Sequence, residues 1–238
     1  MKKNFWNDEI SIGYYDELLI KGRSLNQGIQ PSWHHLTFLA VSEKVENSTS
    51  HLDYACGPGT FIGIYLKNNN SIGVDLAESQ IQYAAKKYPN NTFYTLKEFK
   101  EININNDFEV ITVIGLLEFL SDKEIIELIN FLKTLLKQDG KIIFSTPNFK
   151  STMYFFSKLL KFFTSVNYEN QWINKKGKKD LIRLLENNNM SKFNIEKHVN
   201  FGIIFGLLNL NLGTQVSRAI SKLCRFRIGW ILVVNLSK

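Results

Sequence analysis

His51-Leu52-Asp53-Tyr54-Ala55-Cys56-Gly57-Pro58-Gly59-Thr60-Phe61, followed by Ser71-Ile72-Gly73-Val74-Asp75, decides the reading of this 238-residue chain. An apolar strand runs into a tight turn of small residues, a helix is expected over about 60–67, and a second strand ends in a carboxylate. Gly57 and Gly59 let the backbone approach a ligand closely, and the helix N-terminus beyond them offers unpaired N–H donors. Asp75 stands at roughly the twenty-residue offset of an acid that accepts from sugar hydroxyls. This is the layout of a nucleotide-type cofactor site.

The dinucleotide fingerprint G-x-G-x-x-G/A needs a third small residue, and its place here is held by Ile62. The phosphate-cradling loop needs Gly-Lys-Ser/Thr, which the chain lacks. What remains, Asp53-x-Ala55-x-Gly57-x-Gly59, suits a ligand with a cationic ammonium end and no phosphates. The stretch resembles the first motif of class I S-adenosylmethionine-dependent methyltransferases, approximately D-x-G-x-G-x-G, with Ala55 in place of the first glycine. That resemblance implies S-adenosylmethionine as cofactor. It also implies an α/β, Rossmann-like sheet of seven mostly parallel strands sandwiched by helices, in the order 3-2-1-4-5-7-6.

Strands are read at about 50–54, 71–75, 92–95, 109–114 and 141–145, with helices at about 78–88 and 122–138. Ser121-Asp122-Lys123-Glu124 is a capping box, and Gly140 is expected to end that last helix in a left-handed conformation. Residues 1–46 are expected as a helical N-terminal cap and 47–238 as the methyltransferase domain. Within it, 149–200 is the expected substrate or lid insertion on the C-terminal side. There, Ser151 to Phe163 reads as an apolar helix with basic edges, a lid, core or lipid-touching element. Lys179 to Asn188 reads as a helix, and Phe193 to His198 and Ile228 to Leu236 as strands.

By the same resemblance, Ala55, Gly57 and Gly59 border the methionine part of the cofactor, with Cys56 in the same turn. Asp53 helps to hold the ammonium group, Asp75 accepts from both ribose hydroxyls, and Leu76 packs beside adenine. Glu98 is either the acceptor for the adenine amino group or a surface glutamate between Lys97 and Lys100. Ile114 and Gly115 lie beneath the methionine part, or are simply a buried strand end. An oxygen acceptor would gain from a general base. His34 and His35 are candidates, although adjacent helical residues point about 100° apart, so at most one faces the site. Glu118, just past the fourth strand, either orients an acceptor hydroxyl or caps the next loop. His51 reads as structural, and Tyr14, Tyr15 and Trp33 as entrance or packing aromatics.

Charge is unevenly placed. Residues 1–149 hold 14 Lys/Arg and 18 Asp/Glu, a net −4, whereas residues 150–238 hold 15 and 4, a net +11. The basic part fits an acidic substrate, a phosphate-bearing partner, an anionic membrane surface, or a merely solvated face. Cys56 and Cys224 lie far apart and no Cys/His metal spacing occurs, so no metal is expected and free thiols point to a reducing cytoplasm. The first eight residues carry charge without a following apolar run, and Phe201 to Leu212 is too short to span a membrane.

Pro147-Asn148 and the late helix–strand pattern resemble small-molecule O-methyltransferases related to quinone biosynthesis. The expected acceptor is an oxygen of a sugar, a quinone or phenol, or an envelope-related metabolite, acidic or apolar in character. A non-catalytic cofactor-binding partner subunit stays open, as does a nucleic-acid methyltransferase. Against the latter, the chain has no Asn/Asp-Pro-Pro-aromatic motif and no Pro-Cys nucleophile.

Overall fold

A computed structural model of the chain describes Trp6 and residues 10–45, 48–66, 70–102, 107–152, 170–224 and 228–238. The strands are β1 Ser50–Tyr54, β2 Asn70–Asp75, β3 Thr92–Thr95, β4 Phe108–Ile114, β5 Leu136–Pro147, β6 Phe193–His198 and β7 Ile231–Ser237. They form one sheet in the order β3-β2-β1-β4-β5-β7-β6. The first five run parallel, while β7 is antiparallel to both β5 and β6.

Alternation builds the two faces. Leu52, Ile111, Val113, Ile142, Phe144, Leu232 and Val234 point to one core, and Val110, Ile143, Ile231 and Val233 to the other. Central strands are therefore covered on both sides, as parallel sheets require. The first core is closed by Ile125, Ile129 and Leu132 of one helix and Leu181 and Leu185 of another. The second is closed by Leu19, Leu36, Phe38, Val41 and Val45 from the N-terminal helices α1 (Tyr14–Ser24) and α2 (Ile29–Val45). Pro31 sits in the first turn of α2, where a missing N–H costs nothing.

The other helices are α3 (Glu78–Lys87), α4 (Leu96–Glu101), α5 (Asp122–Leu135), α6 (Lys178–Glu186), α7 (Gly202–Phe205) and α8 (Leu210–Leu223). The capping box of α5 is present: the Glu124 N–H donates to the Ser121 hydroxyl, and the Ser121 N–H to the Glu124 carboxylate. Its end corrects the sequence expectation. Leu136 is already extended and pairs with Phe108, and Gly140 lies inside β5 rather than at a left-handed helix end. Between Leu136 and Lys141 the strand bulges against β4, and a Cβ at position 140 would stand 3.0 Å from the Phe108 carbonyl oxygen. The helix expected over 60–67 is also corrected. It is a five-residue π-helical turn, Phe61–Tyr65, whose aromatic, β-branched and glycine residues are poor helix formers.

Two connections fasten α1 over the sheet edge. The Gly13 N–H donates to Gln80 Oε1 at 3.1 Å and Gln80 Nε2 donates to the Ser11 carbonyl at 3.2 Å. The hydroxyls of Tyr83 and Tyr88, beside and beyond Gln80, donate to the fully buried Asp16 carboxylate.

Helix α8 escaped the sequence reading because its inward stripe is small and polar. Gly213, Thr214, Ser217 and Ser221 face inward, and a Cβ on Gly213 would lie 2.8 Å from the Gly202 Cα. Of the insertion expected over 149–200, residues 153–169, with nearly all of the helix expected at 151–163, lie outside the described residues. Among the described residues, no helix is long and apolar enough to cross a membrane. None of their His, Cys, Asp and Glu side chains group to hold a metal ion.

Candidate functional site

The tips of β1, β2 and β4 open into a cavity of about 940 Å³. This is the crevice at the carboxyl ends of the strands, where the order turns from β1 to β4. The loop after β1 is bent by three left-handed residues: Ala55 at φ 66°, Gly57 at 53° and Gly59 at 75°. Ala55 bears a side chain there, a strain of roughly 1–2 kcal/mol that a glycine would not carry. Its N–H and that of Cys56 donate to the Val74 carbonyl, pinning the loop to β2. A Cβ on Gly57 would meet nothing within 4 Å, whereas one on Gly59 would strike the Phe93 ring at 2.7 Å. Gly57 thus leaves room toward the cavity, and Gly59 packs against the sheet.

Asp75 ends β2 with its carboxylate at this loop. Oδ2 accepts from the Gly57 N–H and Oδ1 from the Ala77 N–H, both at 2.8 Å. The carboxylate keeps lone-pair capacity for a ligand hydroxyl. Burial raises the Asp75 carboxyl above its ordinary range, and the backbone hydrogen bonds pull it back. Asp53 is 2% exposed and accepts from the Thr112 hydroxyl at 2.6 Å. Burial pushes its carboxyl to about 7, against the pull of the Thr112 hydrogen bond and with a further push from Asp75. Burial also raises the Cys56 thiol, which therefore stays protonated and unreactive; both cysteines are free.

Asp53, Ala55, Cys56, Gly57, Asp75, Leu76, Ile114, Gly115, Glu118 and His34 all line this cavity. Gly59 stands behind the loop. Glu98 does not join them: it is exposed, and its carboxylate accepts from the Thr95 N–H and hydroxyl in the capping box of α4. The two adjacent histidines separate as helix geometry requires. His34 faces the cavity between Tyr15 and Phe38, with burial lowering its basicity to about 4. His35 turns to Tyr65 and shares a hydrogen bond with that hydroxyl. Burial, then Arg23 and Arg218, lower it to about 4 as well.

Glu118 lies where the two halves of the cavity meet. It is 6% exposed, Oε2 accepts from the Thr146 hydroxyl at 3.0 Å, and burial raises its carboxyl to about 7. Its Oε1 lies 3.8 Å from where a Cβ on Gly115 would stand, so the carboxylate sits at the tip of β4. The Glu118 carbonyl accepts from the N–H groups of Ile173 and Asn174, which brings Trp172 alongside. Trp6 meets Phe119 edge-on at 5.0 Å. With Ile10, Ile29, Trp33 and Ile231 they make an apolar, aromatic wall beyond the glycine loop. Trp6, Ile10, Phe119, Trp172 and Ile231 were not singled out by sequence, since no local pattern unites positions so far apart.

A family profile described as "Methyltransferase domain" matches residues 30–193. The tRNA (guanine-N(7)-)-methyltransferase of Clostridium botulinum is 33% identical over 89 residues, 36% of this chain and 39% of that protein. The chain thus matches about two-fifths of the length of that curated relative. A SAM-dependent methyltransferase from Archaeoglobus fulgidus superposes with a TM-score of 0.57 at 17% identity, covering 84% of this chain and 94% of that one. One from Thermotoga maritima, described as a possible histamine N-methyltransferase, gives 0.62 at 13% identity and covers 94% of both.

Proposed function

Since the chain belongs to the methyltransferase-domain family, we propose that it transfers a methyl group from S-adenosylmethionine to an oxygen of a small, largely apolar acceptor. The observation that carries this is the position of Glu118, a buried acid between the glycine loop and the aromatic wall. The cofactor supplies a methyl group activated on a sulfonium, so the protein chiefly aligns the acceptor and excludes water. Gly57 gives the cofactor room, Asp75 offers two oxygens to its ribose, and Asp53 offers a carboxylate to its ammonium group.

Glu118 takes the hydroxyl proton as the acceptor oxygen takes the methyl. A carboxyl near 7 is ionised above neutrality and still basic enough to accept that proton. Thr146 fixes its orientation by donating to Oε2. His34, neutral and weakly basic between two aromatic rings, serves as wall and not as base. Of an acidic or an apolar acceptor, the cavity favours the apolar one. Its charged lining is Asp53, Asp75, Glu118, Glu124 and Glu127 against Lys100, which repels an anion.

The competing reading is a nucleic acid, favoured by the +11 charge of residues 150–238 and the likeness to a tRNA methyltransferase. Part of that charge is already paired with acids of the first 149 residues, as in Lys176–Asp122 and Arg218–Glu43. A labelled-methyl transfer screen over phenols, sugars, lipids and tRNA decides between them. Label in a small apolar hydroxyl compound supports the proposal. Label in tRNA, lost steeply with added salt, overturns it. Tight cofactor binding with no acceptor labelled would mark a partner subunit instead.

A further inference from the structure

Four buried polar side chains run across the sheet beneath the cofactor loop, and the reaction just described uses only the first. Asp53 and His51 lie on the same face of β1; Thr112 pairs with Asp53 from β4, and Ser71 with His51 from β2. Thr112 Oγ1 donates to Asp53 Oδ1 at 2.6 Å, His51 Nε2 meets Thr112 Oγ1 at 2.8 Å, and His51 Nδ1 meets the Ser71 hydroxyl at 3.0 Å. His51 and Thr112 are fully buried, and Ser71 is 5% exposed. The ends differ. Asp53 lines the large cavity, whereas Ser71 lines a shallow polar cleft with Asn70, Asn90, Asn91 and Asp107 at the other end of the strands.

We infer that Thr112, His51 and Ser71 are positioning residues for Asp53, a relay that sets its protonation and makes cofactor binding release a proton. The inference rests on the reading of Asp53 as the partner of the cofactor's ammonium group. The chain has two self-consistent arrangements. With Asp53 ionised, Thr112 donates to it, His51 Nε2–H donates to Thr112, and Ser71 donates to Nδ1. With Asp53 protonated, every bond reverses: Asp53 donates to Thr112, Thr112 to Nε2, and Nδ1–H to Ser71. One proton leaves Asp53 as each group passes one on, and the last departs from Ser71 into the polar cleft. Burial keeps the imidazole neutral, with its basicity lowered to about 3, so His51 conducts in both arrangements without holding charge.

The groups facing Asp53 favour the protonated form until a cation arrives. Asp75 adds a like charge, and Cys56 stays a thiol. Thr112 alone stabilises the carboxylate by hydrogen bonding, at the cost of a fixed polarity along the relay. A bound ammonium group reverses the preference, and by linkage the proton is expelled.

Titration calorimetry of S-adenosylmethionine at pH 6, in buffers of different ionisation enthalpy, counts that proton. The native protein is expected to release about one, and Asp53→Asn none. Thr112→Val removes the donor to the carboxylate, so the pH below which affinity falls moves up by about one unit. Its affinity is then about tenfold weaker near pH 6, about fivefold weaker near pH 7 and unchanged near pH 9. Ser71→Ala, at the exposed end, shifts it less and in the same direction. Equal loss at every pH in both variants, the mark of a structural role, overturns the relay, as does tight binding by the native protein with no proton released. Absence of any binding by the native protein overturns the cofactor reading first.

Discussion

The two halves proposed for the cavity, one for cofactor and one for acceptor, are built differently. The first is made of backbone: a loop held by Val74, bent at three left-handed residues and clasped by Asp75, which accepts from the Gly57 N–H. Its parts lie within 25 residues, from Asp53 to Ala77. The second is made of side chains borrowed from across the chain, Trp6, Ile29, Trp33, Glu118, Trp172 and Ile231. A backbone site tolerates little change but serves any member of a family that shares the ligand. A side-chain site can be rebuilt without disturbing the sheet.

That contrast breaks most visibly at Glu118. Glu118→Gln should lower turnover about 10²–10⁴-fold while leaving cofactor affinity unchanged, read by steady-state rates and calorimetry. In the native enzyme the base form is lost on acidification. Thus kcat/KM should fall about tenfold per pH unit below about 7 and level above it. A flat profile would remove Glu118 as the base.

Asp75→Ala should do the opposite, weakening cofactor binding about 100-fold, since two charge-assisted hydrogen bonds are each worth about 1.5–3 kcal/mol before compensation. Circular dichroism should show the sheet retained. Unchanged binding would detach the ribose from this acid.

The two loop glycines sharpen the contrast within the backbone half. Gly59→Ala places a methyl against Phe93 at a left-handed φ and should cost about 2–4 kcal/mol, seen as a lower melting temperature. Gly57→Ala meets no protein atom, so it should cost only about 1–2 kcal/mol in stability yet weaken cofactor binding. The smallest effect is expected at Glu98→Ala: cofactor affinity unchanged and melting only slightly lowered, because its carboxylate caps α4 outside the cavity.

Legibility followed the same division. Gly57, Gly59 and Asp75 were readable because strand, turn and carboxylate are local, and their spacing carries the geometry. The α5 capping box was readable for the same reason, whereas strand order came only from what the family resemblance implies. The end of α5 was not, because Leu135 and Leu136 continue an apolar run and only pairing with Phe108 shows where extension begins. Glu98 stayed open between two roles because an acid three positions past β3 serves equally well as a helix cap. Trp172 and Ile231 gave no signal, since only the folded chain brings them to the cavity that Glu118 lines. The Asp53 relay was invisible too: His51, Ser71 and Thr112 look like ordinary strand residues until β2, β1 and β4 align.

The clasp between α1 and α3 borders the cavity. Gln80, which grips the start of α1, also lines the cavity, and Tyr83 and Tyr88 farther along the chain cover the Asp16 carboxylate. Swinging α1 outward would strip an anion of both phenols and free a backbone amide in one movement. Any opening of the cavity on that side is therefore coupled to wetting Asp16.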